Sequence, residues 1–126
     1  MKNLVVASLL FALVLSCVIT LNFIMKNRSN ELIDMCDEMI TSVDNGDWDT
    51  IKRLYKEIDS KWKKIRYLFF LSLNHTEIDS VDFAMIELNS MIEADELAHV
   101  KNYSENLRFY IDELIDTEEL SFENIF

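Results

Sequence analysis

Proline is absent from these 126 residues, and glycine occurs once, at Gly46. Strands and tight turns normally draw on both residues, so a sheet-rich fold is excluded and a mostly helical chain is predicted. A phosphate-cradling loop cannot be built with one glycine, and the chain has no Gly-x-Ser-x-Gly elbow. With only two histidines and two cysteines, it also lacks most of the parts of an acid–base or nucleophilic site. Basic residues are scarce too, twelve against 23 acids for a net charge of −11. Such a surface repels phosphate backbones, so nucleic-acid binding is not expected. No enzymatic activity and no cofactor are expected either.

What is present begins with 22 uncharged residues from Leu4 to Met25, "LVVASLLFALVLSCVITLNFIM". As a helix this run extends roughly 33 Å, enough for a hydrocarbon core of about 30 Å. A cleaved secretory signal has a shorter apolar region and then turns polar, whereas here apolar character persists up to Lys26 and Arg28. Residues 1–28 are therefore read as an uncleaved membrane anchor that meets lipid through residues 4–25. Ser16 and Cys17 within "LVLSC" resemble a lipoprotein-processing site, which makes Cys17 the alternative point of attachment. Cys36 lies 19 residues further along the same predicted helix, about 28 Å away, too far for a disulfide with Cys17.

Residues 29–126 read as one all-α domain, an antiparallel bundle of about four helices. Leu32, Cys36, Met39, Ile40 and Val43 mark a first stripe, continuous with the anchor. "DNGD" ends it, with Gly46 suited to a left-handed helix end and Asp47 to capping the next helix. In that second helix Trp48, Ile51, Tyr55, Ile58, Trp62, Ile65 and Phe69 recur at steps of three and four, the spacing of a packed seam. These aromatic residues are read as core, not as a ligand groove. Ile78, Val81, Met85, Leu88 and Ile92 form a third stripe, preceded by Thr76 and Asp79 at capping-box spacing. Leu97, Val100, Leu107, Ile111 and Leu114 form a fourth, with Asp95 as its expected cap. The terminal "SFENIF", with Phe122, Ile125 and Phe126, is apolar enough to fold back on the bundle.

Two constellations could carry chemistry. Glu96 and His99 have the Glu-x-x-His spacing of di-iron bundle sites, in which residues three apart share a helix face. Such a site needs a second Glu-x-x-His, and the only other histidine, His75, has no glutamate three residues before it. His75, Glu77, Glu96 and His99 are thus weak metal candidates, and a solvated surface is the expected reading. The acids around His75 fit a helix start, where the dipole favours negative charge. The second constellation is charge segregation. Seven of the twelve basic residues, Lys52, Arg53, Lys56, Lys61, Lys63, Lys64 and Arg66, lie in the second helix. Acidic neighbours across the bundle could neutralise them, or Lys52, Lys56, Lys63 and Lys64 could form a surface for an acidic partner or lipid headgroups.

In "LSLNHTEID", "IELNSMIEADE" and the terminal "ENIF" the chain resembles a family of small uncharacterised helical proteins from clostridia and related Gram-positive bacteria. The resemblance covers most of the chain after the anchor and implies a domain of unknown function joined to a membrane segment, with lipoprotein-like labels among relatives. It implies no catalytic residue. The expected role is a non-enzymatic protein-interaction module on the outer face of the cell membrane. The alternative is a ligand- or metal-binding sensor. With only "MKN" before the span, that sensor would need a membrane partner to signal. The short tail favours an outside domain, while Lys26 and Arg28 weigh against it.

Overall fold

A computed structural model describes residues 1–71 and 75–125, with side chains as far as Glu119. Four helices, α1 (Lys2–Asp44), α2 (Trp48–Phe70), α3 (His75–Glu93) and α4 (Leu97–Ile125), follow one another up and down. Each packs on its two neighbours, α1 closing the ring against α4, and α2 and α3 make the loosest pair. Among the described residues there is no strand.

The ring closes because every helix carries a heptad-like buried stripe. In α1 the buried positions Met25, Ser29, Leu32, Cys36, Met39 and Val43 alternate steps of four and three. In α4 the sequence Val100, Ser104, Leu107, Ile111 and Leu114 does the same. Such spacing keeps one face turned inward along the whole helix, and helices of this kind cross at shallow angles. The stripe of α3 is the one read from the sequence. In α2 the structure corrects one position. Leu54 is buried in the core, and Tyr55 stands half-buried at the edge with its hydroxyl donating to the Met85 carbonyl oxygen at 3.3 Å. A buried phenol needs a hydrogen-bond partner, and the edge supplies one.

The N-terminal half of α1 behaves differently. Apart from half-buried Leu15 and Asn22, its residues up to Ile24 are exposed, among them Leu9, Leu10, Phe11 and Phe23. A soluble monomer does not carry a contiguous apolar surface of this size. The helix is long and apolar enough to cross a membrane. Its first buried residue is Met25, inside the apolar run, and from there the same helix becomes a bundle stave.

The two described turns at the far end of the bundle use one geometry. After α1, the Asp47 N–H donates to the Ser42 carbonyl at 2.9 Å and the Gly46 N–H to Val43 at 3.0 Å, with Gly46 at φ +66°. After α3, Glu96 N–H reaches Met91 at 3.1 Å and Asp95 N–H reaches Ile92 at 3.2 Å, with Asp95 at φ +55°. Both are left-handed helix ends that satisfy the last carbonyls. Asp47 caps α2 as expected, accepting from the Thr50 N–H at 3.2 Å. Asp95 does not cap α4. It ends α3, because "EADE" offers no glycine and Asp is among the few residues that tolerate this conformation. Asp95→Gly is therefore expected to stabilise the bundle by about 0.5–1 kcal/mol, and Asp95→Val to destabilise it by about 1–2 kcal/mol. Thermal unfolding followed by circular dichroism checks the sign of each.

Thr76 is also placed differently from the expectation. Since α3 already includes His75, Thr76 sits inside the first turn and is not the cap. The fold-back of Phe122, Ile125 and Phe126 falls on side chains outside those described.

Candidate functional site

The helix dipole, the hydrophobic stripe and the charge pattern of α2 together fix what its outer face presents. The stripe turns Ile58, Trp62 and Ile65 inward, which leaves the cations between them on the flanks and the outside. On the flank facing α1, Lys61 pairs with Glu31 at 2.8 Å and Arg53 lies 3.6 Å from Glu38. Toward α3, Arg66 pairs with Asp82 at 2.6 Å. Arg53 and Lys63 also pair within the helix, with Glu57 at 3.0 Å and Asp59 at 2.8 Å. Neutralisation across the bundle thus accounts for Arg53, Lys61 and Arg66. Lys52, Lys56 and Lys64 are exposed and form no ion pair among the described residues; Lys63 is also exposed. Lys52 lies 6.0 Å from the centre of the Trp48 ring.

Beside Lys63, which lines it, α2 and α3 stand apart over a groove of about 580 Å³. Large side chains hold it open. Trp62 and Met85 form its floor, Arg66 and Asp82 bridge it, and Tyr67 and Ile86 rise from its edges, exposed to 67% and 63%. One carboxylate organises the bridge. Asp82 accepts from Trp62 Nε1 at 2.7 Å through one oxygen and from Arg66 Nη2 at 2.6 Å through the other. The Arg66 guanidinium lies 5.0 Å from the Phe70 ring centre and 6.0 Å from that of Tyr67, and its buried Nε has no partner. Burial, with Asp59 and Glu93 nearby, raises the Tyr55 pKa above the ordinary phenol value, so Tyr55 stays a neutral donor. The groove is therefore apolar at its floor, carries the Lys63–Asp59 pair in its lining and is held by fixed hydrogen bonds.

The sequence candidates for metal binding are not brought together. His75 and Glu77 open α3 at the anchor end of the bundle, the His75 ring tilted against that of Phe70 with centres 4.9 Å apart. Glu96 and His99 open α4 at the opposite end, roughly 28 Å away by helix rise. No group of three metal-ligating side chains occurs among the described residues. Both cysteines are free: Cys17 is exposed midway along the apolar run and Cys36 is buried. Burial pushes the Cys36 thiol up to about 12, with the Asp37 charge adding to it, so its thiolate is not accessible near neutrality.

The groove was not visible as a unit in the sequence, because it depends on the spacing between two helices. One signal for it existed. Trp62 falls on a core position, its N–H there requires an acceptor, and Asp82 adjoins the α3 stripe next to Val81.

No curated protein and no solved structure matches the chain. Residues 19–125, from the last part of the apolar run to the end of α4, match the family described as a domain of unknown function, DUF4363, and the chain belongs to that family.

Proposed function

We propose that the protein is a membrane-tethered, non-enzymatic interaction module that holds its bundle on the outer face of the cell membrane and binds an acidic, amphipathic helix of a neighbouring protein. The observation carrying this reading is a groove with an apolar floor, lined by exposed Lys63 and edged by Tyr67 and Ile86, on the helix that also presents Lys52 and Lys56, without ion pairs among the described residues, to solvent. A helix with acids on one side and apolar residues on the other would satisfy both, apolar contacts giving affinity and charge giving orientation and speed of encounter. The exposed apolar half of α1 supports the tether. An outside location is supported by the size and acidity of the bundle, because long acidic domains are not held inside by the positive-charge rule. Beside the span Lys26 is paired with Glu119, and Arg28 is exposed without an ion pair among the described residues.

The test uses a photo-crosslinking amino acid at Tyr67 in native membranes, with exposed Glu113 on α4 as the control position. A defined adduct from Tyr67, absent from Glu113 and reduced about tenfold by Lys56→Glu with Lys63→Glu, is the expected result. Equal labelling from both positions, or a yield indifferent to the two charges, overturns the docking face. Protease added to the outer side of sealed membranes is expected to digest the bundle. Complete protection would place it in the cytoplasm.

A further inference from the structure

The register between α1 and α4 continues past the point where the bundle meets the apolar run. Three ion pairs join these helices: Lys101–Asp44, Arg108–Asp37 and Lys26–Glu119. From 101 to 108 to 119 along α4 the steps are seven and eleven, and from 44 to 37 to 26 along α1 they are the same. The two helices therefore run antiparallel without slippage. Six residues beyond Glu119, the end of α4 at Ile125 lies level with Thr20 of α1. That is five residues, about 7.5 Å, inside the run from Leu4 to Met25.

A hydrocarbon core of about 30 Å takes up some 20 residues of helix, and a headgroup layer of about 5–8 Å lies outside it on each side. Counted from Leu4, the core ends near Phe23, so residues 120–125 fall at the boundary between acyl chains and headgroups. The family match, which begins at residue 19, takes in the same stretch. A second observation is independent of the register. Leu71, at the same end of the bundle, is 75% exposed, the highest value among the described large apolar residues beyond α1. The turns of the opposite end, "DNGD" and "EADE", offer no large apolar side chain.

We propose that the bundle stands directly on the phospholipid bilayer that α1 crosses, with Leu71 and the last turn of α4 seated in the headgroup layer. Aromatic and aliphatic side chains at that depth gain from partial burial while polar groups stay hydrated. Arg28, exposed one turn above Met25, is positioned for lipid phosphates. The bundle is then upright and oriented, not swinging on its anchor, and Lys56 stands some 22 Å above Leu71 by helix rise.

The experiment uses the full chain with Cys17→Ser, in phosphatidylcholine vesicles, carrying a nitroxide at Leu71→Cys, Phe122→Cys or, as the far-end control, Asp49→Cys. Buried Cys36 does not compete for label. Collisions with oxygen and with a water-soluble nickel chelate report depth. Labels at 71 and 122 are expected within about 5–10 Å of the acyl boundary, oxygen-accessible and shielded from nickel, while the label at 49 reports bulk water. A label at 71 as nickel-accessible as that at 49 overturns the proposal. So does loss of access to both reagents at 71, which would mean that protein, not lipid, covers it. An aqueous label at 122 would remove α4 from the contact. Leu71 is exposed, so its replacement leaves the fold in place.

Discussion

Phe69→Ala is expected to destabilise the bundle by about 3–5 kcal/mol, the largest effect of any single substitution considered, because it empties the core where three helices converge. Phe69 is 1% exposed and its ring centre lies 6.2 Å from that of Trp62. Around it are Met25 and Ser29 of α1 and Ile115 of α4, which already enclose a small cleft of about 10 Å³. Truncation would enlarge that cleft to a cavity able to admit water, and the buried Ser29 hydroxyl, which has no partner, would line it. The damage should also be local in one sense. Amide exchange should quicken most in residues 112–119 of α4, since Phe69 holds that stretch against α1. Trp48→Ala, at the opposite end and only half-buried, is the comparison, with an expected loss of about 1–2 kcal/mol. A loss below about 1 kcal/mol for Phe69→Ala would show that the site collapses around the missing ring.

The legible part of this fold was its repeat. Heptad steps in α2 and α3 could be counted directly, and the absence of proline and of any break between Met25 and Leu32 made α1 continuous. The illegible part was whatever depended on a choice between near-equivalent positions. Between Ile51 and Ile58, either Leu54 or Tyr55 completes the step, and only the Met85 carbonyl across the groove decides that Tyr55 goes to the edge. Ser29 and Ser104 sit on core positions and look polar in sequence. Ser104 hides its hydroxyl by donating to the Val100 carbonyl at 2.7 Å, so its small size decides its place. Asp47 and Asp95 are the same residue with opposite tasks, one capping α2 and one ending α3, because only the first turn has a glycine. For the candidate site, charge segregation was plain, yet which cations meet partners depends on helix rotation. Lys61 turns toward Glu31, while Lys56, five residues before it, faces solvent.

Asp82→Ala is expected to cost about 2–4 kcal/mol, more than its partial exposure suggests. The carboxylate is the one acceptor shared by Trp62 Nε1 and Arg66, and its side chain and that of Arg66 are 32% and 24% exposed. Removing it leaves the indole N–H without its acceptor beneath the groove. It also leaves a guanidinium whose Nε already lacks one. The cost is that of stranded donors, which is why the nature of the replacement matters. Asp82→Asn keeps an oxygen for Trp62 but turns its NH2 toward Arg66, losing the charge and the second acceptor, so it should cost less than Asp82→Ala while still stranding the guanidinium. Pairing Asp82→Ala with Arg66→Met removes the stranded cation, and the double variant should be more stable than Asp82→Ala alone. Denaturant unfolding of the four proteins, followed by tryptophan fluorescence, separates these outcomes. If Asp82→Ala costs under about 0.5 kcal/mol, water satisfies both donors and the groove is not fixed by this bridge. If instead the cost is large and the double variant recovers stability, the groove's geometry is held by one carboxylate. Lys56 and Lys63, outside that network, can then be reversed in charge to test docking without loosening the fold.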